Sequence, residues 1–542
     1  MDGAADLAII GASLETMSGN ASGADALAVR DGRIVAVGRS ADLRPLLGPR
    51  TELVELHGET VIPGFQDAHV HPIHGGLLHD ECDLYPLTDA SAYVAAIAAY
   101  GAAHPDRAWI TGSGWAMPAF AGGNPTRAVL DAVVADRPVF LWSRDGHSAW
   151  VNSRALEVVG IGSGTADPPD GRIERDEDGA PCGTLHEGAA DLVDQHVPQP
   201  TTAEMASALI EAQRYLHSLG VTAWQDARAT SAELTAYRDA AANGRLTARV
   251  VASQLWDTAR GLEQIGEMVA QRLASASDRL QAGTVKFFVD GIIENGTALM
   301  TAPYLDAGGE PTANHGMPML EPKLLRQAVV ALDELGFQCH FHAIGDGAVR
   351  LALDAIEGAR DRNGRTDGRH HIAHLEVINP VDIPRFAALG ATATIQPIWA
   401  TLDAQMIDLR IPVLGPERTG WQYSFRSLQR AGAHLAGGSD WTVSTPDPLL
   451  EVEAAVTRVD ADDRGAEPFL PHERLDLDAA LRAYTIGSAY VNHLDASTGS
   501  LEVGKLADLV VLDRNLHSED GRPIGEARVS HTFVDGREVY RR

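Results

Sequence analysis

Residues 61–71 read VIPGFQDAHVH, a short apolar run that ends in two histidines. Seven more apolar runs follow, and amphipathic stretches such as LLRQAVVALDELG (324–336) separate most of them. These later runs cover residues 220–227, 248–255, 284–291, 337–346, 370–377, 392–398 and 434–440. Alternation of short strands with helices is typical of a parallel sheet. Eight such units predict an α/β fold, a (β/α)8 TIM barrel, and a doubly wound open sheet is the competing topology.

The two ends of the chain share a second pattern. Residues 26–38 (ALAVRDGRIVAVG) are typical of a hairpin, because alternating apolar segments flank Asp31-Gly32, a strong tight-turn pair. Residues 530–540 (SHTFVDGREVY) repeat that pattern. We therefore expect strands from both termini to form one small composite β-sandwich. The predicted domains are residues 1–62 plus 488–542 for the sandwich and 63–487 for the barrel.

About 150 residues separate the first apolar run from the second, far more than a usual loop. They include strand-like pieces such as PVFLWSRDGHSAWVNSRAL (138–156). We predict an insertion subdomain at 75–205, directly after the first barrel strand. Because the loops that follow barrel strands lie on the catalytic face, this subdomain is expected to wall the substrate pocket.

The composition excludes several classes of partner. The 542 residues include 74 acidic and 44 basic side chains, which gives a formal charge of −30. Such an acidic chain without a basic run is not expected to bind nucleic acid or an anionic membrane, so a small molecule is the expected substrate. The three cysteines are too few for a disulfide framework. We see neither a signal peptide nor an apolar run of about 18 residues, which predicts a cytoplasmic location.

Several apolar runs carry polar residues near their carboxyl ends, where the active sites of barrels lie. His69 and His71 stand two residues apart on one strand, so both side chains face the same way. The later runs add Lys286, His340, His342, His370, His371, His374 and Asp440. Converging polar groups are costly to bury without a partner, and a pair of divalent metal ions removes that cost. Imidazole and carboxylate suit Zn²⁺, with Mn²⁺, Fe²⁺ or Ni²⁺ as alternatives.

Lys286 lies among apolar neighbours in a chain whose basic residues are nearly all arginine. A buried ammonium costs several kcal/mol or must lose its proton. One interpretation is a salt bridge to a nearby acid such as Asp290 or Glu294. The other is that a neutral lysine reacts with CO₂ to give a carbamate that bridges two metal ions. Arginine cannot do this, which favours the carbamate.

Several motifs then point to one family. The barrel motifs PGFQDAHVHP (63–72), VKFFVDG (285–291), HAIGDGAV (342–349), IAHLE around His374 and GGSDW (437–441) resemble the amidohydrolase superfamily, and within it amidohydrolase family 3. The pieces at 145–156 and 171–189 are similar to its YtcJ-like branch, which includes N-substituted formamide deformylases. The resemblance covers essentially the whole chain.

The resemblance implies a hydrolase that cleaves a C–N bond in an amide, formamide or N-acyl amine. It implies metal-bound hydroxide as the nucleophile and Asp440 as the general base, which later protonates the leaving amine. It assigns a two-zinc site to His69, His71 and Asp440 for the first ion, His342 and His374 for the second, and carbamylated Lys286 as the bridge. Some relatives use Cys or Glu as the bridge, or a single ion, so Cys82 and Glu81 are spare candidates. His340 competes with His342, and many relatives are dimers, so a homodimer is compatible with the resemblance.

The predicted insertion supplies further candidates. His147 is expected to help to stabilise the tetrahedral oxyanion. The candidate substrate-binding residues of the insertion are Trp115, Trp142, Trp150, Asn152 and Arg172, and the segment just after the fourth barrel strand adds Thr297 and Tyr304. A tryptophan in such a subdomain is more often a core residue.

Other functions remain open for the same site. Deamination of an amidine-like ring, or opening of a cyclic amide or lactone, shares the same hydrolytic step. A metal-free scaffold protein is disfavoured because every ligand position is present. A glycosidase is disfavoured because the strand ends offer histidines in place of paired carboxylates.

Overall fold

The structure is a computed structural model, and it describes residues 3–18, 23–518 and 521–542. Over these ranges, no helix combines the length and the apolar character needed to cross a bilayer. Four sheets organise the chain: one of four strands, one of six, one of eight and one of five.

The first strands belong to two small sheets. Strands β4-β3-β1-β5 form the four-stranded sheet, and β3 and β4 pair as an antiparallel hairpin. Asp31 and Gly32 form its turn with φ of 51° and 74°, the left-handed conformation that tight hairpins require. The elements are β1 (Leu7–Ile10), β2 (Ser13–Leu14), β3 (Ala26–Arg30), β4 (Arg33–Gly38), α1 (Ser40–Leu43), β5 (Glu52–Glu55) and β6 (Thr60–Pro63).

A six-stranded sheet follows the first barrel strand, β7 (Phe65–Val70). Its strands lie in the order β12-β13-β11-β10-β9-β8. The elements are α2 (Pro72–Leu77), β8 (Cys82–Asp83), α3 (Ala90–Ala103), β9 (Ile110–Trp115), α4 (Arg127–Asp131), β10 (Val139–Ser143), β11 (Ser148–Val151), α5 (Ser153–Val159), β12 (Gly171–Arg175), β13 (Pro181–Glu187) and α6 (Gly188–Asp194).

The largest sheet has eight parallel strands, and each overlaps one of the predicted apolar runs. Helices alternate with the strands, and α7 begins at a capping box formed by Thr201 and Glu204. The elements after β7 are α7 (Thr202–Ser218), β14 (Val221–Ala229), α8 (Ser231–Ala242), β15 (Arg249–Leu255), α9 (Ile265–Ala274), β16 (Leu280–Phe288), α10 (Pro322–Glu334), β17 (Gln338–Ala343), α11 (Asp346–Asn363), β18 (His371–His374), α12 (Ile383–Leu389), β19 (Thr392–Ile395), α13 (Ile411–Thr419), α14 (Phe425–Arg430) and β20 (His434–Gly437).

The two end strands of this sheet, β7 and β20, are not paired with each other in the strand order but lie in contact. The backbone N–H of Asp440 donates to the carbonyl of His69 at 2.7 Å. A Cβ on Gly438 would lie only 2.8 Å from the Cβ of His69, so a glycine is required at this approach. The sheet therefore curves into the predicted TIM-barrel-like fold, and the open-sheet alternative is disfavoured.

The chain ends in a five-stranded sheet of order β2-β6-β21-β22-β23, built from both ends of the sequence. Its apolar face shares one core cluster with the four-stranded sheet, including Ile9, Val29, Leu509 and Phe533. The last elements are α15 (Pro448–Thr457), α16 (Leu477–Arg482), α17 (Ser488–Val491), β21 (Leu509–Leu512), β22 (Val529–Val534) and β23 (Arg537–Arg541).

Candidate metal centre and active site

Three buried side chains converge at the carboxyl end of the barrel. His69 is the last but one residue of β7, His374 ends β18, and Asp440 follows β20. One nitrogen or oxygen from each of them lies within 4.8 Å of the others, which is close enough for one ion. Nε2 of His69 is 3.3 Å from Oδ1 of Asp440. The arrangement brings together three of the residues that the sequence analysis proposed as metal ligands.

His71 and His342 extend this cluster on its two sides. Nε2 of His71 is 3.0 Å from Oδ1 of Asp440. The ring of His342 lies 4.3 Å from that of His374, centroid to centroid. All four predicted histidine ligands and Asp440 therefore form one continuous group, with His71 at one end and His342 at the other.

The state of these side chains suits a divalent metal ion. Both ring nitrogens of His374 are buried, and neither has a hydrogen-bond partner among the described residues. Burial lowers the pKa of His69 to about 3, and it lowers the pKa of His342 and His374 well below the usual value. Neutral imidazole is the form that binds a metal ion, and unpaired buried nitrogens are costly without one. The donor set thus fits the predicted cofactor.

Asp440 remains a carboxylate in this buried place. Burial alone would raise its pKa, but the His69 and His71 rings beside it hold the pKa well below the usual range. The charged oxygens are 3.3 Å from His69 and 3.8 Å from His374. An anionic oxygen ligand is therefore available at the centre of the cluster.

His340 has a different place from His342. Its Nε2 lies 2.9 Å from Nδ1 of His69, and its ring packs on His371 at 3.8 Å between centroids. Such a contact on the second nitrogen of a ligand histidine fixes the orientation of its ring. His340 therefore orients the His69 ring through its Nδ1 atom, while His342 lies next to His374. His370 bonds Asp333 at 3.1 Å instead.

The backbone is strained at the site. His374, Leu375 and Asp440 have φ of 75°, 50° and 54°, and Glu187 has φ of 52°. Positive φ is uncommon for residues other than glycine, and such residues cluster at functional sites because the surrounding structure holds them there. This feature coincides with the cluster and has no signal in the sequence.

Lys286 is buried beside the cluster with 1% of its surface exposed. Its Nζ lies 5.0 Å from the ring centroid of Phe288 and forms no hydrogen bond or ion pair with any residue that the structure describes. Burial lowers the pKa of its amine to about 7, although the Asp440 charge opposes the shift. A substantial neutral fraction therefore exists near pH 7.

The acids proposed as salt-bridge partners for Lys286 are engaged elsewhere. Asp290 accepts the backbone N–H groups of Leu299, Ile344 and Gly345 at 2.8–3.0 Å. Glu294 forms an ion pair with Arg410. The salt-bridge interpretation therefore finds no support, whereas the carbamate stays a prediction. The spare candidate Cys82 lies in β8, within an apolar cluster of the six-stranded sheet, and Glu81 directly precedes that strand.

His147 reaches the cluster from the six-stranded sheet. Its ring lies 5.0 Å from that of His342, and its Nδ1 is 2.8 Å from Oε2 of Glu187. Burial opposes the charged form of His147, but the Glu187 carboxylate outweighs burial and raises the pKa to about 9. Unlike His69, His342 and His374, His147 is therefore held as a cation.

Glu187 was missed by the sequence analysis. Its second oxygen, Oε1, accepts hydrogen bonds from Thr297 Oγ1 at 2.7 Å and from Asn295 Nδ2 at 3.2 Å. Thr297, proposed as a substrate contact, is therefore connected to His147 through the Glu187 carboxylate, which bonds both side chains. The available signal was an acid at the end of a predicted strand within the motif 171–189.

The other proposed substrate contacts lie inside the six-stranded sheet region. Trp115 and Trp150 are fully buried and donate their indole N–H groups to the carbonyls of Leu141 and Thr126. Arg172 pairs with Glu174 at 2.7 Å. The indoles are occupied by local packing and Arg172 by a local ion pair, so the structure does not favour substrate contact.

Asn152 has a structural role that gives a testable prediction. Its Oδ1 caps α5 through the N–H of Ala155 at 2.9 Å and also accepts from Val139 N at 3.0 Å. We expect Asn152→Ala to lower the free energy of unfolding by about 1–3 kcal/mol, because a cap and buried hydrogen bonds are lost. KM should be unchanged for every substrate. Thermal unfolding and steady-state kinetics test this. A raised KM at wild-type stability would contradict the structural role and support Asn152 as a substrate-binding residue.

Histidines and a carboxylate at the carboxyl end of a (β/α)8 barrel are an arrangement suited to metal-assisted hydrolysis. Residues 52–540 match the family model described as the amidohydrolase family. The chain therefore belongs to the amidohydrolase family, as its motifs predicted. It is a hydrolytic enzyme that acts on carbon–nitrogen bonds other than peptide bonds, and its buried group of His69, His374 and Asp440 has the spacing to hold one metal ion.

Three relatives align over nearly the full length. The chain is 32% identical to Protein LONG AFTER FAR-RED 3 of Arabidopsis thaliana over 99% of this chain and 92% of that protein. It is 29% identical to YtcJ of Bacillus subtilis, with 98% of each chain covered. It is also 29% identical to the N-substituted formamide deformylase of Arthrobacter pascens, over 99% of this chain and 98% of that enzyme. These matches confirm the predicted branch.

Among solved structures, the chain is similar to an uncharacterized metal-dependent hydrolase from Pyrococcus furiosus. The TM-score is 0.72 at 26% identity, over 94% of this chain and 99% of that chain. This similarity supports the barrel fold of the present chain.

Proposed function

We propose that the enzyme hydrolyses the C–N bond of an N-substituted formamide or a related N-acyl amine. The observation that carries this is the buried group of His69, His374 and Asp440, whose ligand atoms lie within 4.8 Å of one another. The similarity to an N-substituted formamide deformylase supports the choice of a formamide.

His69, His71 and Asp440 would hold one ion and His342 and His374 a second, with His374 also within 4.8 Å of the ligand atoms of His69 and Asp440. Carbamylated Lys286 would be a further ligand. Zn²⁺ is the first candidate for both ions. Divalent ions at such a site lower the pKa of bound water and polarise a carbonyl oxygen. Asp440 touches three of the histidines, so it is the carboxylate best placed to accept the proton from the attacking water.

After proton transfer from water, the reaction needs a group that stabilises the carbonyl oxygen and a group that protonates the leaving nitrogen. His147 lies next to His342, at the end opposite to His71, and is the cation best placed to stabilise negative charge on the carbonyl oxygen. Asp440, protonated after the first step, would return that proton to the leaving nitrogen. The products are formate, or another carboxylate, and a free amine.

The domain boundaries proposed from the sequence fit these roles. We assign residues 1–62 and 488–542 to one β-sandwich and 75–205 to an insertion that walls the site. Two contacts of Glu187 support the assignment of 75–205 as an insertion that walls the site. Its ion pair with His147 and its hydrogen bond with Thr297 join the six-stranded sheet to the loop after β16.

A substrate panel tests this function. Zinc-loaded enzyme is incubated with N-formyl benzylamines, N-formyl anilines and N-acetyl aryl amines, and the released amine and acid are measured. We expect N-formyl compounds to give the highest kcat/KM, about 10⁴ M⁻¹s⁻¹ or more for a good substrate. Cyclic amides, lactones and amidine-like heterocycles are run in parallel. Ammonia release from the heterocycles without turnover of any formamide would replace this function by deamination.

A further inference from the structure

Glu187 is a buried carboxylate that the mechanism above leaves unused. We propose that Glu187 is a positioning residue, which holds the His147 ring against the metal ligands and joins it to the barrel loop at Thr297. The expected effect of Glu187 on kcat rests on the proposed function. Its role in positioning the His147 ring rests on the contacts described below.

The two oxygens of Glu187 divide their bonds between two parts of the chain. Oε2 accepts from Nδ1 of His147 at 2.8 Å, within the six-stranded sheet. Oε1 accepts from Thr297 Oγ1 and Asn295 Nδ2, both in the loop after β16. The Nδ1–H of the ring is thereby directed at Glu187, and no described residue bonds Nε2. One carboxylate therefore sets the ring orientation of His147 and stabilises its charged form.

The backbone at Glu187 is forced into an uncommon conformation to make this contact. Its φ of 52° and ψ of −133° are rare for a residue with a side chain. The N–H of Glu187 donates to the carbonyl of His147 at 2.9 Å, and Gly188 donates to Asp170 at 3.1 Å, which together hold the turn. A side chain at Gly291 would collide with both Glu187 and Thr297, so the barrel loop packs directly on the carboxylate.

The same sheet contains a matched pair for comparison. Glu174 bonds Nε2 of His186 at 3.1 Å and also pairs with Arg172. It is a second Glu–His pair in strands β12 and β13, but it touches none of the metal-ligand candidates. Glu174→Gln therefore removes the same chemical group without touching His147.

The experiment compares Glu187→Gln with Glu174→Gln. Glutamine keeps an oxygen acceptor of the same size and removes the charge, so the fold should survive. We expect Glu187→Gln to lower kcat about 10–100-fold with KM and metal content unchanged, the range typical for outer-shell partners of a site. Glu174→Gln should leave kcat unchanged. Metal content is measured by plasma mass spectrometry on each protein.

A second readout does not require turnover. In ¹⁵N-histidine-labelled protein, the His147 signals are identified as those lost in His147→Asn. We expect Glu187→Gln to shift the two ring nitrogens of His147, and Glu174→Gln to leave them in place. Unchanged His147 signals in Glu187→Gln would overturn the positioning role, whatever the activity. If wild-type enzyme turns over no compound of the panel, the proposed function fails, and the nitrogen shifts still decide the role of Glu187.

Discussion

Asp440→Asn is expected to lower kcat by about 10³-fold or more on the best substrate of the panel. Asparagine has nearly the same shape but cannot accept the proton of the attacking water, and general-base catalysis contributes about 10²–10⁴-fold. The side chain also contacts His69, His71 and His374, so its charge would help to hold the proposed metal ions. The measurement is kcat together with metal per chain.

Metal content separates the two roles of Asp440. If the variant retains its metal and loses turnover, the role as base is supported. Activity that falls only in proportion to the metal content would reduce Asp440 to a ligand, and a near-normal rate would exclude it as the base. Asp278→Asn, at an exposed position, is the control for removing one negative charge from the surface.

Lys286→Arg is the second large effect that we expect. Arginine keeps a cation at the position but cannot form a carbamate. Metal content should fall from about two ions per chain to about one, and kcat should fall by about 100-fold or more, beyond the usual loss of an outer-shell partner. Lys323→Arg, at an exposed position, should change neither value.

The carbamate can also be observed directly. Protein grown with ¹³C-bicarbonate and zinc, purified without chelator, should show one carbamate carbonyl signal that is absent from Lys286→Arg. One ion per chain and no such signal in the wild-type protein would contradict the bridge. The site would then be mononuclear, and deaminase substrates would become the first to test.

The position of Lys286 illustrates what the sequence could and could not predict. Its apolar neighbours and the scarcity of lysine predicted a buried amine, and 1% exposure agrees. The choice between a salt bridge and a free amine depended on where Asp290 and Glu294 direct their oxygens. Only the tertiary structure showed those acids engaged by backbone N–H groups and by Arg410.

The aromatic residues of the six-stranded sheet mark a second limit. Trp115 and Trp150 could equally line a pocket or fill a core, because both uses need a large apolar side chain at the same strand positions. Burial of both rings, with their N–H groups bonded to nearby carbonyls, was decided by packing between distant segments. Substrate contact by either ring stays a prediction, and the core role that the sequence analysis named beside it agrees with this burial.

The sequence by itself determined the eight strands and the histidines at their ends. Hydrophobic periodicity and the two-residue spacing of His69 and His71 are local properties, so they can be recognised in the sequence before the fold is known. The tertiary structure alone decided the environment of His147. Glu187 lies 40 residues from His147 and 110 from Thr297 along the chain, and it meets both only because the sheet and the barrel loop pack together. Local sequence patterns carry no information about partners so far apart, so the contacts of Glu187 with His147 and Thr297 could be recognised only in the structure.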